Sequence, residues 1–100
     1  MDSVVARWAR MEGFAGNPAA IAGAKVFATS GCLACHAYLA GGSQPGDLTS
    51  VGRGGQGVRF FEAYVGDPRK FGNRVMPRYD LDPQRLHDLA VFLSVSRGRR

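Results

Sequence analysis

Apolar residues recur along this chain in four short periodic runs, separated by stretches rich in glycine or without period. From Ser3 to Met11, Val4, Val5, Trp8 and Met11 fall at helical spacing, with Arg7 and Arg10 elsewhere on the turn. This predicts a short amphipathic helix, with Met11 as one of its packing residues. Gly13 and Gly16 interrupt the period before Asn17-Pro18, an N-cap residue followed by proline at a first helical position. A second helix is expected there, through Ile21, Ala24, Val26, Phe27 and Ala28, ending near Ser30-Gly31. Seven of the chain's 14 glycines lie between positions 41 and 57, so that segment is expected to be a surface loop. Its length suits a loop that packs against a bound group.

Phe60, Phe61, Tyr64 and Val65 suit a third helix over residues 59–65, closed by Gly66 and Asp67-Pro68. Residues 68–79 read as irregular. Asp82 and Pro83 then announce a last helix with Leu86, Leu89, Ala90 and Leu93 on one face. Neither internal repeats nor hairpin signatures occur, so the chain reads as all-α with long loops. The expected organisation is an N-terminal extension with a short amphipathic helix over 1–16, a single domain over 17–96, and a basic tail over 97–100.

The composition restricts the function classes. A chain of 100 residues with 45% hydrophobic residues makes one small domain. Such a domain buries a modest fraction of its surface and gains from a disulfide, a metal or a cofactor. Thirteen Lys and Arg against eight Asp and Glu give a formal charge of +5. That favours an acidic partner. Nothing reads as a nucleic-acid motif, because no basic run is interleaved with aromatics. No stretch approaches the ~18 consecutive apolar residues of a membrane span. Any membrane association is therefore expected through a partner or a removed anchor.

The only two cysteines stand three positions apart, directly before one of the two histidines: Cys32-Leu33-Ala34-Cys35-His36. This Cys-x-x-Cys-His spacing is that of c-type haem attachment. Two thioethers clamp the porphyrin edge while the adjacent histidine is carried to the iron. A thioredoxin-type redox disulfide would need a βαβ context that the chain does not offer. Zinc would need four ligands, and Cys32, Cys35, His36 and the distant His87 are the whole cysteine and histidine supply. A structural disulfide between Cys32 and Cys35 would close too short a loop to stabilise much.

Iron held by one histidine has a second axial position, for which Met1, Met11, Met76 and His87 are the candidates. Met76 is favoured. It precedes Pro77 in an irregular stretch just before the last helix, where rigid backbone can aim a thioether. Its competing role is core filler. His87 sits beside the apolar stripe of the last helix and reads as a partly exposed helix histidine. Met1 is expected to be disordered.

With these features together, residues 17–94, about four fifths of the chain, resemble the class I monohaem c-type cytochromes. The resemblance rests on Cys32-Leu33-Ala34-Cys35-His36, on Met76-Pro77 forty positions after His36, and on a leading helix with Gly23 and Phe27 matched to a closing helix with Leu89 and Phe92. It implies the cytochrome c fold, three to five helices with long loops around one covalent haem c. It implies cofactor binding by Cys32, Cys35, His36 and Met76, with His36 and Met76 as axial ligands. The implied activity is electron transfer through an exposed haem edge, by a carrier that is not an enzyme. It also implies that Gly23 is a helix-crossing site. One departure is the loop Pro45-Gly46-Asp47-Leu48, where the family often has Gly-Pro-x-Leu with the proline carbonyl orienting the histidine.

Partners are expected to be redox proteins, with Arg69, Lys70, Arg74 and Arg78 as a basic docking face around Met76. Arg53, Arg59 and Tyr64 are candidate donors to the haem propionates. Bacterial haem attachment of this kind takes place outside the cytoplasm, so the expected location is the periplasm or the outer face of the cytoplasmic membrane, in a mature or excised form. Two other function classes stay open: an electron-entry domain of a larger respiratory or multihaem complex, and a haem gas sensor or enzyme with displaceable Met76. Residues 1–16 would suit the former, with Trp8, Val4 and Met11 packing on a partner or back on this domain.

Overall fold

The computed structural model describes residues 2–30, 32, 36, 38, 47–74, 76 and 81–98, which are mostly helical: α1 (Asp2–Glu12), α2 (Pro18–Thr29), α3 (Val58–Gly66) and α4 (Pro83–Val95). Two single 3-10 turns, Val51–Gly54 and Pro68–Phe71, lie between them. The second departs from the irregular stretch expected at 68–79. Pro68 supplies a helical φ at its first position, and Gly72 at φ 81° closes it by donating its N–H to Arg69 O.

The helix starts follow from local chemistry. Asn17 caps α2 by accepting the Ala20 N–H at 3.1 Å, and Asp82 caps α4 by accepting the Arg85 N–H at 2.8 Å. Each satisfies a backbone donor that has no partner within its helix, and each is followed by proline at a position where no N–H is needed.

Helices α2 and α4 cross in direct backbone contact. At Gly23 an added Cβ would overlap the carbonyl of Asp88, so only glycine permits this approach. Phe27, Leu89 and Phe92 are fully buried at the crossing. Helix α3 lays Phe61 and Val65 against α4.

Helix α1 folds back on the same core. Trp8 packs edge-on against Phe27 at 5.9 Å, tilted against Tyr38 at 4.8 Å and stacked on Phe92 at 6.2 Å between ring centroids. Its inner face is Val5, Trp8, Ala9 and Glu12, a strict i, i+3, i+4, i+7 stripe. Met11, expected to pack, lies instead on the outer face with 37% of its surface exposed, beside Val4 at 40%. Val5 and Trp8 keep their expected inner positions, while Ala9 and the carboxyl-bearing Glu12 take the places expected of Val4 and Met11.

The chain end is tied to the loop before α3. Gly52 N–H donates to Ser96 O at 2.7 Å and Gly98 N–H to Thr49 O at 3.0 Å. Arg53 donates to the carbonyls of Arg97 and Gly98. Asp47 accepts both the backbone N–H and the hydroxyl of Thr49, which shapes the turn. These bonds give the loop from 47 to 54 a fixed course and point Leu48 and Val51 inward.

Candidate functional site

Between α2, α3, α4 and the tied loop lies a cavity of about 230 Å³ that opens at one side. Phe27 of α2, Phe61 and Val65 of α3, Leu89 and Leu93 of α4, and Leu48 and Val51 of the loop form an apolar wall. Cys32, His36, Tyr64, Asn73 and Met76 supply the remaining lining. A cavity this apolar holds a hydrophobic group, with its few polar atoms and sulfurs setting orientation.

Three of the four site residues named from the sequence therefore meet at one place. Cys32 and His36 are joined by a single turn of chain, His36 N–H donating to Cys32 O at 2.9 Å, which brings both onto one side of that turn. Met76 faces the same cavity from a segment forty positions later in the chain. The fourth, Cys35, lies outside the described residues, as do Met1, Pro77, Arg78 and the loop carbonyls of Pro45 and Gly46. The Cys32 side chain is buried, and loss of solvation pushes its thiol above the ordinary range, against a smaller opposing effect from a backbone hydrogen bond.

Met76 is held by two residues of which only one attracted notice in the sequence. Its N–H donates to Asn73 Oδ1 at 3.0 Å, and Asn73 Nδ2 donates to the Tyr64 hydroxyl at 2.9 Å. The amide thus links the methionine backbone to a residue of α3. Asn73 is one side chain after Gly72 in a segment without period, and nothing in the sequence marked it.

Tyr64 lines the cavity, with its hydroxyl accepting from Asn73 Nδ2. Arg53 is committed to the carbonyls of the chain end, and Arg59 is exposed on α3; neither is among the lining residues. His87 is also absent from the lining. It is exposed on α4, with Nδ1 3.1 Å from Glu62 Oε2 of α3. As a ligand, whether second axial donor or fourth zinc donor, it is in the wrong place. Among the described residues no three His, Cys, Asp or Glu side chains form a metal-holding group.

A histidine and a methionine lining one apolar cavity offer donors that suit iron in a flat macrocycle better than a hard cation, which would want several oxygens. Cys32, buried, lines the same cavity. Among known proteins, no family model, curated sequence or solved structure matches this chain.

Proposed function

We propose that this chain is an electron carrier of the c-type cytochrome kind, holding one haem c through Cys32 and Cys35 with His36 and Met76 as axial ligands. The observation that carries the reading is the convergence of Cys32, His36 and Met76 on one apolar cavity. Haem bound there supplies a one-electron Fe(III)/Fe(II) couple.

The protein's own residues set how that couple behaves. His36 and Met76 would both be engaged by the metal when haem is bound, which would deny a substrate direct access to it and set electron transfer above catalysis. Thioether ligation favours the reduced metal. Phe27, Phe61, Val65, Leu89 and Leu93 keep water away, and a low dielectric further disfavours the extra positive charge of the oxidised state. Asn73 and Tyr64 restrain the methionine segment, so little rearrangement accompanies a change of oxidation state. The partner class is a redox protein. The site of action is extracytoplasmic, where haem attachment to such a cysteine pair takes place in bacteria, and no helix among the described residues is long and apolar enough to cross a membrane.

The test is a pyridine haemochrome spectrum of protein made with a haem-attachment system, with a redox titration. The c-type spectrum with a positive midpoint is expected. Replacing both Cys32 and Cys35 by alanine should abolish covalent haem. Met76→Ala should erase the methionine–iron absorption of the oxidised form and open the reduced form to carbon monoxide. A wild-type protein with a strongly negative midpoint, or one that binds carbon monoxide at once when reduced, contradicts the carrier reading.

A further inference from the structure

Phe71 exposes 45% of its surface, yet it is firmly held. It ends the 3-10 turn that begins at buried Pro68, and Gly72 at φ 81° fixes the backbone directly after it, a conformation in which a side chain would be strained. Its ring packs edge-on against Phe60 at 5.6 Å and tilted against Tyr64 at 5.0 Å. Tyr64 lines the cavity. Phe71 is thus the outer end of an unbroken aromatic contact from solvent to the cavity wall.

Cations surround it in sequence and are exposed with it: Arg69 and Lys70 immediately before, Arg74 shortly after. None of the three forms an ion pair among the described residues. A ring with nearly half its surface in water leaves apolar area whose burial in an interface would be favourable. A rigid exposed ring within a basic rim has the chemistry of an interface hot spot, where aromatic and arginine residues are enriched and little side-chain freedom is lost on binding.

We propose that the Phe71 face, rimmed by Arg69, Lys70 and Arg74, is the docking surface for an acidic redox protein, and that electrons enter the cavity there by way of Tyr64. This rests on the carrier reading above. Net charge opposes a second copy of this chain as occupant, since the rims would repel. The aromatic contact to the cavity favours a redox protein over a passive anionic surface, for which proximity to the cavity serves no purpose. A patch of this size suits the small, transient interfaces of electron-transfer encounters. In the encounter one electron passes from the partner's reduced centre to the ferric haem. The partner is oxidised, the haem is reduced, and no bond or proton changes place.

The experiment measures reduction of the ferric holoprotein by the ferrous soluble domain of an acidic b-type cytochrome, beside reduction by neutral lumiflavin semiquinone. For the triple variant R69E/K70E/R74E, the low-salt rate with the acidic cytochrome should fall about 100-fold and lose its ionic-strength dependence. Phe71→Ala should lower the same rate about tenfold, and Phe71→Leu should recover part of it. The lumiflavin rate and the methionine–iron absorption should stay within about twofold of wild type in all three. The charge variant alters only exposed side chains, so it remains informative if Phe71→Ala loosens the turn. Wild-type rates with the acidic cytochrome in haem-loaded variants overturn the proposal, as does a fall shared equally by lumiflavin. So does loss of binding to phosphatidylserine vesicles with the protein rate unchanged. Failure of the wild-type chain to take up haem would instead overturn the carrier reading.

Discussion

At the scale of single residues, Asn73 controls how firmly Met76 is presented. Its carboxamide accepts from the Met76 N–H and donates to the Tyr64 hydroxyl, and a net hydrogen bond of this kind contributes about 1 kcal/mol. Asn73→Leu removes both. Imidazole competes for a methionine-held axial position, so its half-displacement concentration in the oxidised protein should fall about tenfold or more, the equivalent of 1.4 kcal/mol or more. Tyr64→Phe, which spares the bond to Met76, should shift it less. Unchanged imidazole titrations in Asn73→Leu would show that the methionine segment is held by other means. Cys32 and His36 were legible beforehand because their relation is local: a fixed spacing becomes one hydrogen-bonded turn whatever the rest of the chain does. Met76 was legible through its proline neighbour and the resemblance. Asn73 was not, because a lone polar residue in an aperiodic segment gains its role only when α3 brings Tyr64 beside it.

Among the elements, the α2–α4 crossing has the tightest steric demand. Glycine inside a helix costs about 1 kcal/mol relative to alanine, so on propensity alone Gly23→Ala would stabilise α2. The structure opposes this, since the new methyl would overlap the Asp88 backbone carbonyl, which has no rotamer through which to escape. Overpacking of this kind costs about 1–3 kcal/mol, occasionally more, and against backbone the upper end applies. Gly23→Ala should therefore be destabilising by about 2 kcal/mol after the propensity gain, read as a lowered urea midpoint. A raised midpoint would mean that the helices cross further apart. The helix starts at Pro18 and Pro83 were readable from the Asn-Pro and Asp-Pro pairs, because capping is chemistry within one turn. Of the residues expected on the packing face of α1, Val5 and Trp8 are buried and Val4 and Met11 are not. Val4 and Met11 look like core, and Glu12 looks like surface, yet the stripe at 5, 8, 9 and 12 is the one that meets Phe27 and Phe92. Val5 and Trp8 belong to either face, and packing turns the helix so that Ala9 and Glu12, not Val4 and Met11, complete the buried side.

For the whole molecule, the question is what the cavity means for stability when nothing fills it. A closed cavity left by deleted side chains costs about 24 cal/mol per Å³, so about 230 Å³ that opens to solvent corresponds to at most roughly 5.5 kcal/mol. A domain of 100 residues has only about 5–15 kcal/mol of total stability. The two are of one size, and the cavity sits where Phe61 and Val65 of α3 and Leu89 and Leu93 of α4 would otherwise find their partners. The α2–α4 crossing and the Trp8 cluster depend on it less, although Phe27 and Leu89 of the crossing also line the cavity. If the cavity holds haem as proposed, the haem-free form with both Cys32 and Cys35 replaced by alanine should therefore keep much of its helical far-ultraviolet signal while losing near-ultraviolet signal and cooperative melting. Helix α3 should be the first to lose amide protection, because it borders the cavity and meets the core chiefly through α4. Hydrogen exchange resolved by helix checks the order. If α3 in the haem-free form is as protected as α2, then packing among the helices alone suffices, and the cavity contributes nothing to holding the fold together.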